Sequence, residues 1–289
     1  MSTETRKNLI IRTISGIVFI AATFAAIFLH PLVYMAVFGF FLFCAMHEYL
    51  NIAIGKGKVA LKAAAIVSGL SAFLCISAFV AELYADIDIY PVGVFFGCAG
   101  LMSFLALPVI NLFEKHYNGL GNAWASLLYI ALPFCLMGYF YSFNYATLHG
   151  WHLASILILL WAGDVGAYCI GTMFGQGAKG HKLMPSISPK KSWEGVFGGA
   201  LMTLIAGLIL FKCGVIWGTF NVNVWFTLLY CIVIFAAGVF GDLAESQLKR
   251  NFGVKDSGSI MPGHGGFLDR FDSALLALPV AFAMHILIS

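Results

Sequence analysis

Between Gly241 and Ser273 the chain gathers five carboxylates, four Lys or Arg side chains and a glycine-rich turn, in a sequence that is otherwise overwhelmingly apolar. Apolar runs flank this stretch, Val224 to Val239 before it and Ala274 to Ile288 after it. Charge at the margin of a membrane span is costly and needs partners, so such a cluster reads first as a functional site. On a helix continuing from Val224, Asp242, Glu245, Ser246, Lys249 and Arg250 fall at i, i+3, i+4, i+7 and i+8, which is one face. Asp269, Asp272 and Ser273 repeat the i, i+3, i+4 relation at the start of a further helix. Two helices could thus present carboxylates to a common point, with Lys249, Arg250, Lys255 and Arg270 around it. Carboxylate oxygens suit a hard cation such as Mg²⁺, which keeps several waters and completes its shell from phosphate oxygens. Between the helices, Pro262-Gly263-His264-Gly265-Gly266 can turn backbone N–H groups inward as an anion nest. The helix N-terminus that follows would add its positive dipole end. These are the parts of a metal–phosphate site.

The elements that must position these groups are membrane helices. Of 289 residues, 61% are hydrophobic and only 10% charged, against about 25% charged in a soluble domain. The composition therefore predicts an all-α, polytopic integral membrane helix bundle. A net charge of +3, with no basic cluster interleaved with aromatics, gives no support for nucleic-acid binding. Seven cysteines lie far apart with no C-x-x-C pair, which argues against a zinc site or a disulfide framework. Arg6, Lys7 and Arg12 precede the first apolar run as they would in a signal peptide. No convincing small-residue cleavage site follows, and the segment is expected to be a retained helix.

Apolar runs predict about nine spans, roughly 9–29, 32–53, 60–81, 90–112, 123–143, 152–173, 194–212, 224–245 and 268–288. With the N-terminus inside, alternate connections carry Lys56 and Lys58, then Lys115, then Lys179, Lys182, Lys190 and Lys191, then Lys249, Arg250 and Lys255. The opposite connections carry Glu82, Asp86 and Asp88 or no charge, apart from Lys212. The positive-inside rule then predicts an N-in, C-out topology with the motif-bearing loops in the cytoplasm. The expected organisation is an N-terminal membrane region of about five spans, 1–150, and a C-terminal catalytic region of about four, 151–289.

Outside the central cluster, polar residues are few. His47 and Glu48 in the second span read mainly as a hydrogen-bonded packing pair near the cytoplasmic end, or else as support for a polar cavity. Asp164 lies near the middle of the sixth apolar run, where an unpaired charge costs about 2.5–3.5 kcal/mol on insertion scales; it is expected to line a cavity. Gly163, Gly166 and Gly171 around it permit close helix approach. Gly175, Gly177, Lys179, Gly180 and Lys182 suggest a flexible basic loop. Ser188-Pro189-Lys190-Lys191-Ser192-Trp193-Glu194-Gly195 then leads into the seventh span, with Ser192 a candidate helix cap. By spacing alone, Lys190 and Lys191 read as topology-setting charges. Gly195-x-x-Gly198-Gly199 predicts tight helix packing, and a seam of this kind could pair two copies in a homodimer.

Ser246-x-x-Lys249-Arg250, Lys255-Asp256, Pro262-x-His264-Gly265-Gly266 and Asp269-Arg270-x-Asp272 together resemble the signature of the phosphatidate cytidylyltransferases, also called CDP-diacylglycerol synthases. About a dozen identities hold their spacing over 27 residues. The resemblance extends to Ser188 through Gly195 and, more loosely, to Asp164 through Gly171. It implies a nucleotidyltransferase of phospholipid biosynthesis that joins CTP and phosphatidic acid, giving CDP-diacylglycerol and pyrophosphate. The implied setting is a bacterial inner membrane, with membrane lipids as partners and the active site facing the cytoplasm.

In that light Asp242, Asp269 and Asp272 are expected to hold Mg²⁺, with room for a second cation and with Ser246 as a further oxygen ligand. Lys249, Arg250, Lys255 and Arg270 would neutralise phosphates. His264, Gly265 and Gly266 would donate to or orient a phosphate oxygen. Asp164, Ser188, Lys190 and Lys191 would line the substrate side. Three rivals remain. A CTP-dependent polyprenol or dolichol kinase would share CTP and Mg²⁺ but release CDP. A CDP-alcohol phosphotransferase would need an Asp-Gly-x-x-Ala-Arg motif that is absent here. An ion-coupled transporter would need neither the glycine turn nor the clustered bases.

Overall fold

Long apolar runs make helices here because in hydrocarbon every backbone N–H and C=O must be satisfied within the segment. The structure, a computed structural model, describes residues 3–85, 89–114, 117–142, 149–176, 180–217, 222–261, 263 and 265–287. Its helices are α1 (Thr3–Leu29), α2 (Pro31–Ile54), α3 (Val59–Ala85) and α4 (Tyr90–Glu114). Then α5 (Tyr117–Ser126) runs through a π turn, Leu127–Ala131, into α6 (Leu132–Ser142). The rest are α7 (Trp151–Phe174), α8 (Trp193–Lys212), α9 (Val224–Asn251) and α10 (Leu268–Ile286). Local chemistry sets several ends. Pro31 opens α2 while the His30 ring accepts the Leu32 N–H at 3.2 Å, and Gly55, at φ +79°, closes it. Asn223 caps α9 through the Phe226 N–H at 2.8 Å, and Ser192 caps α8 through the Gly195 N–H at 3.2 Å, as its position predicted.

Eight helical stretches among the described residues are long and apolar enough to cross a membrane, and the chain is an integral membrane protein. The segment expected as a ninth span is helical, but Asp269, Arg270 and Asp272 in its opening turns leave it outside that set. Gly177 and Lys179 of the expected flexible basic loop lie outside the described residues, and from Lys182 the chain forms a small antiparallel hairpin. In it β1 (Lys182–Met184) pairs with β2 (Ser188–Ser192), with Lys182 opposite Ser192. Two ties fasten it: His181 meets the Glu194 carboxylate through its backbone N–H at 3.0 Å and its ring at 2.9 Å, and Gln176 Nε2 donates to Lys190 O at 2.7 Å.

The chain divides into two compact units, Met1–Ser142 with Val254–Phe271, and Phe143–Gly253 with Asp272–Ser289. The signature loop after α9 thus packs with the N-terminal spans, although by sequence it reads with the C-terminal region. The first unit has an aromatic core. Tyr34 stacks on Tyr141 at 4.1 Å, and Phe271 meets Phe134, Phe19 and Phe41 at 4.9, 5.7 and 5.7 Å. Lipid tails are as apolar as these rings, so close packing rather than escape from water holds them together.

The second unit packs through glycine. A Cβ on Gly166 would lie 2.6 Å from Gly198 O, and one on Gly195 would lie 3.0 Å from Ala167 O, so α7 and α8 touch backbone to backbone. That is the close approach their spacing predicted. Within the chain the Gly195–Gly199 run packs against α7 and, at Gly199, against Phe235 of α9. On α9, a Cβ on Gly241 would come within 2.6 Å of Asp272 O. This approach brings the carboxyl-bearing turns of α9 and α10 side by side.

Candidate active site

In the second unit, α7, β2 and α9 surround a cavity of about 610 Å³ whose lining includes Asp164, Tyr168, Lys190, Lys191, Ser192, Asp242 and Ser273. Lys191 Nζ lies 2.7 Å from Asp242 Oδ2, and Ser246 Oγ donates to Asp242 Oδ1 at 3.3 Å. The latter is the i, i+4 relation read from the sequence. Asp272 sits where the carboxylates of Asp242 and Asp164 both act on it, with the Lys249 ammonium opposing them, and its Oδ1 accepts the Ser273 N–H at 2.6 Å. Three acids and two lysines are thereby gathered from α7, β2, α9 and α10. Ser188, at the start of β2, pairs with Met184 and holds the hairpin in register.

Two bases stand near the end of α9 and a third on the loop beyond. Lys249 forms an ion pair with Glu245, a buried carboxylate one turn earlier. Arg250 is exposed in the last helical turn, where a cation complements the helix dipole. Lys255 is exposed on the loop beyond.

The first unit builds the signature loop from the other end. Both Asp269 oxygens face the Ser257 N–H, at 3.3 and 3.1 Å, and Oδ2 also accepts the Gly266 N–H at 2.9 Å. The expected anion nest is therefore occupied, at Gly266, by the chain's own carboxylate, placed there by α10's first turn. Gly265, at φ +82°, has no Cβ because one would lie 2.6 Å from Asp269 Oδ2, and its carbonyl accepts the Met261 N–H at 3.0 Å. Arg270 and Asp256 line a second, polar cavity of about 540 Å³. His264 and Pro262, like Lys115, Lys179, Asp86 and Asp88, lie outside the described residues.

Two residues gain weight that the sequence did not give them. Glu48, only 4% exposed on α2, accepts from Ser257 Oγ at 2.9 Å, Phe267 N at 3.1 Å and Leu268 N at 3.0 Å. It therefore caps the start of α10 and pins the loop, while its neighbour His47 bonds instead with Asn51. The packing expected of the pair is present, but toward separate partners. Arg12, read only as a flanking charge, donates from Nε to Gly263 O at 2.7 Å. A lone acid inside an apolar helix was a signal for Glu48; for Arg12 the sequence offered none beyond its charge.

Residues 10–288 match the model of the cytidylyltransferase family. This chain belongs to that family. Among curated relatives, proteins named phosphatidate cytidylyltransferase from Staphylococcus haemolyticus, Staphylococcus saprophyticus and Staphylococcus aureus are each 39% identical to it over 181 residues. That match covers 62% of this chain and 65% of each relative, so it spans just under two thirds of the relatives' length. The family's model, by contrast, runs through both structural units, including the first five apolar segments.

Proposed function

We propose that this chain is a phosphatidate cytidylyltransferase, joining CTP to phosphatidate to give CDP-diacylglycerol and pyrophosphate. The observation that carries this reading is the cavity of the second unit, where Lys191, Asp242 and Asp164 meet under the hairpin. Family membership and the relatives' names support it. A phosphate oxygen of phosphatidate attacks the α-phosphorus of CTP. The bond from that phosphorus to the bridging oxygen breaks, and pyrophosphate leaves with the electron pair. A phosphate monoester is largely ionised near neutral pH, with a second pKa of about 6, so no strong base is required. The difficulty is to bring polyanions together and hold charge on the departing group. Lys190 and Lys191 supply positive charge at the cavity wall, and Ser192 N-caps α8 beside them.

The residues fit Mg²⁺ by their chemistry. Among the described residues, no group of three or more His, Cys, Asp or Glu stands ready to enclose an ion alone. Mg²⁺ does not need one, since it is commonly held by one or two carboxylates together with water and phosphate oxygens. Asp242 and Asp272, with Ser246, are the groups we propose to hold it. When bound, it would polarise phosphate oxygens and neutralise their charge. For Asp269 the geometry supports a different task, that of fixing the glycine turn.

The test is incubation of purified protein with α-labelled CTP, Mg²⁺ and phosphatidate, followed by lipid extraction. Label should enter the lipid phase with stoichiometric pyrophosphate, and a chelator should abolish it. Release of CDP with a newly phosphorylated lipid would mean a kinase, and neither product would overturn the reading. The setting proposed is the bacterial inner membrane with both motif-bearing loops in the cytoplasm, supported by the clustering of lysines on those connections. On a cysteine-free background, cysteines placed at positions 56 and 255 should resist an impermeant reagent in intact cells; labelling at 255 would reverse the orientation.

A further inference from the structure

The polar cavity of the first unit brings Arg12, read from the sequence only as a flanking charge, against the signature turn and Arg270. It is lined by two arginines, Arg12 and Arg270, one carboxylate, Asp256, and a turn that includes Gly263 and Gly265. Among the described residues, its ionisable walls carry two positive charges and one negative. Arg12 is fixed by the bond from its Nε to Gly263 O at 2.7 Å, which joins positions 251 residues apart. Gly263, at φ +75°, has no side chain to obstruct this, and a Cβ there would lie 2.9 Å from Arg12 Cγ. One of the guanidinium's five N–H groups is engaged by that carbonyl, and the planar fork suits the oxygens of a phosphate.

Depth then indicates which phosphate. Arg12 is the second residue of the apolar span Ile11–Leu29, and no other charged side chain follows in that span. It therefore marks the level at which hydrocarbon gives way to headgroups. A lipid with its tails in the bilayer carries its phosphate at that level, whereas a nucleotide arrives from water. We propose that Arg12, together with Arg270, grips the phosphate monoester of the lipid substrate. The assignment of that lipid as a reactant rests on the function proposed above; the phosphate site itself does not.

The experiment compares wild type with Arg12→Gln and Arg12→Lys in mixed micelles, varying phosphatidate at saturating CTP and then CTP at saturating phosphatidate. Arg12→Gln should raise the KM for phosphatidate about tenfold, as loss of a charge-assisted pair implies, and leave the KM for CTP within about twofold. Arg12→Lys, which keeps the charge but not the fork, should fall between. A rise in the CTP KM alone would assign the site to the nucleotide and overturn the proposal. So would a fall in kcat with both KM values unchanged, the mark of a residue that only ties the loop. A second arm needs no turnover: native mass spectrometry of protein released from vesicles containing equal phosphatidate and phosphatidylcholine. Wild type should retain phosphatidate preferentially and Arg12→Gln should lose that preference. Equal retention of both lipids by wild type would also overturn the site. If wild type makes no CDP-lipid yet retains phosphatidate through Arg12, the proposed reaction fails and this site stands.

Discussion

Asp242→Asn should insert and fold as wild type does and lose about 100- to 1,000-fold in turnover, the range seen when a group that stabilises transition-state charge is removed. The substitution preserves shape and removes only the negative charge. Asp242 lies directly after Gly241, the point at which α9 nearly touches the backbone at Asp272. Its oxygens are held by Lys191 Nζ at 2.7 Å and Ser246 Oγ at 3.3 Å, so it is oriented before any substrate arrives. Asp272→Asn should cost a similar factor, because its carboxylate answers to Asp242 and Asp164. If the two acids serve one charge cluster, Asp242→Asn with Asp272→Asn should be little worse than either change alone. Factors that multiply cleanly would instead assign them separate tasks. Near-wild-type turnover in either single variant would remove that residue from the site. Detergent-solubilised yield and thermal melting provide the control for folding.

Glu48→Ala should be nearly as severe, although Glu48 lies in the part of the chain that looks least like a catalyst. Removing its carboxylate strands the Ser257 hydroxyl and the N–H groups of Phe267 and Leu268 in a buried site, at about 1–3 kcal/mol for each unsatisfied group. Built Cβ atoms on Gly258 and Gly266 would both collide with the Glu48 carboxylate, so the loop is moulded against it. The expected result is a protein that still inserts but loses at least about 100-fold in activity, since a displaced loop misplaces the groups it carries. Glu48→Gln retains one acceptor oxygen and should recover part of the loss. Equal activity in Glu48→Ala and wild type would show that the loop holds its shape without this anchor. Limited proteolysis between residues 252 and 267 reads the loop directly and should be faster in Glu48→Ala than in Glu48→Gln.

The difference between these two acids shows how far the sequence could be read. The face carrying Asp242, Ser246 and Lys249 is a matter of helical period, and the ties from Ser246 to Asp242 and from Lys249 to Glu245 follow from it. The Ser192 cap and the glycine contact between α7 and α8 are also local rules applied to short stretches. What periodicity cannot give is which distant segment a side chain will meet. Glu48 meets Phe267 across 219 positions and Arg12 meets Gly263 across 251. The hairpin was missed because its strands are only three and five residues long and the longer one is polar, leaving no alternating apolar pattern to find. The nest at Gly263 to Gly266 was recognised as an anion site. That Asp269 would serve as its anion at Gly266 depended on the turn's folded shape.

The Glu48 anchor also sets an order of events while the protein is being made. Its partner Ser257 emerges 209 residues later. At roughly 5–20 residues per second, translation separates the two by about 10–40 s. Throughout that interval α2 carries an acid whose final hydrogen-bond donors do not yet exist. The acid must stay near the water boundary until they arrive, because a bare carboxylate in hydrocarbon is costly. The N-terminal spans are thus left unfinished until the last helix begins, and its opening turn completes them.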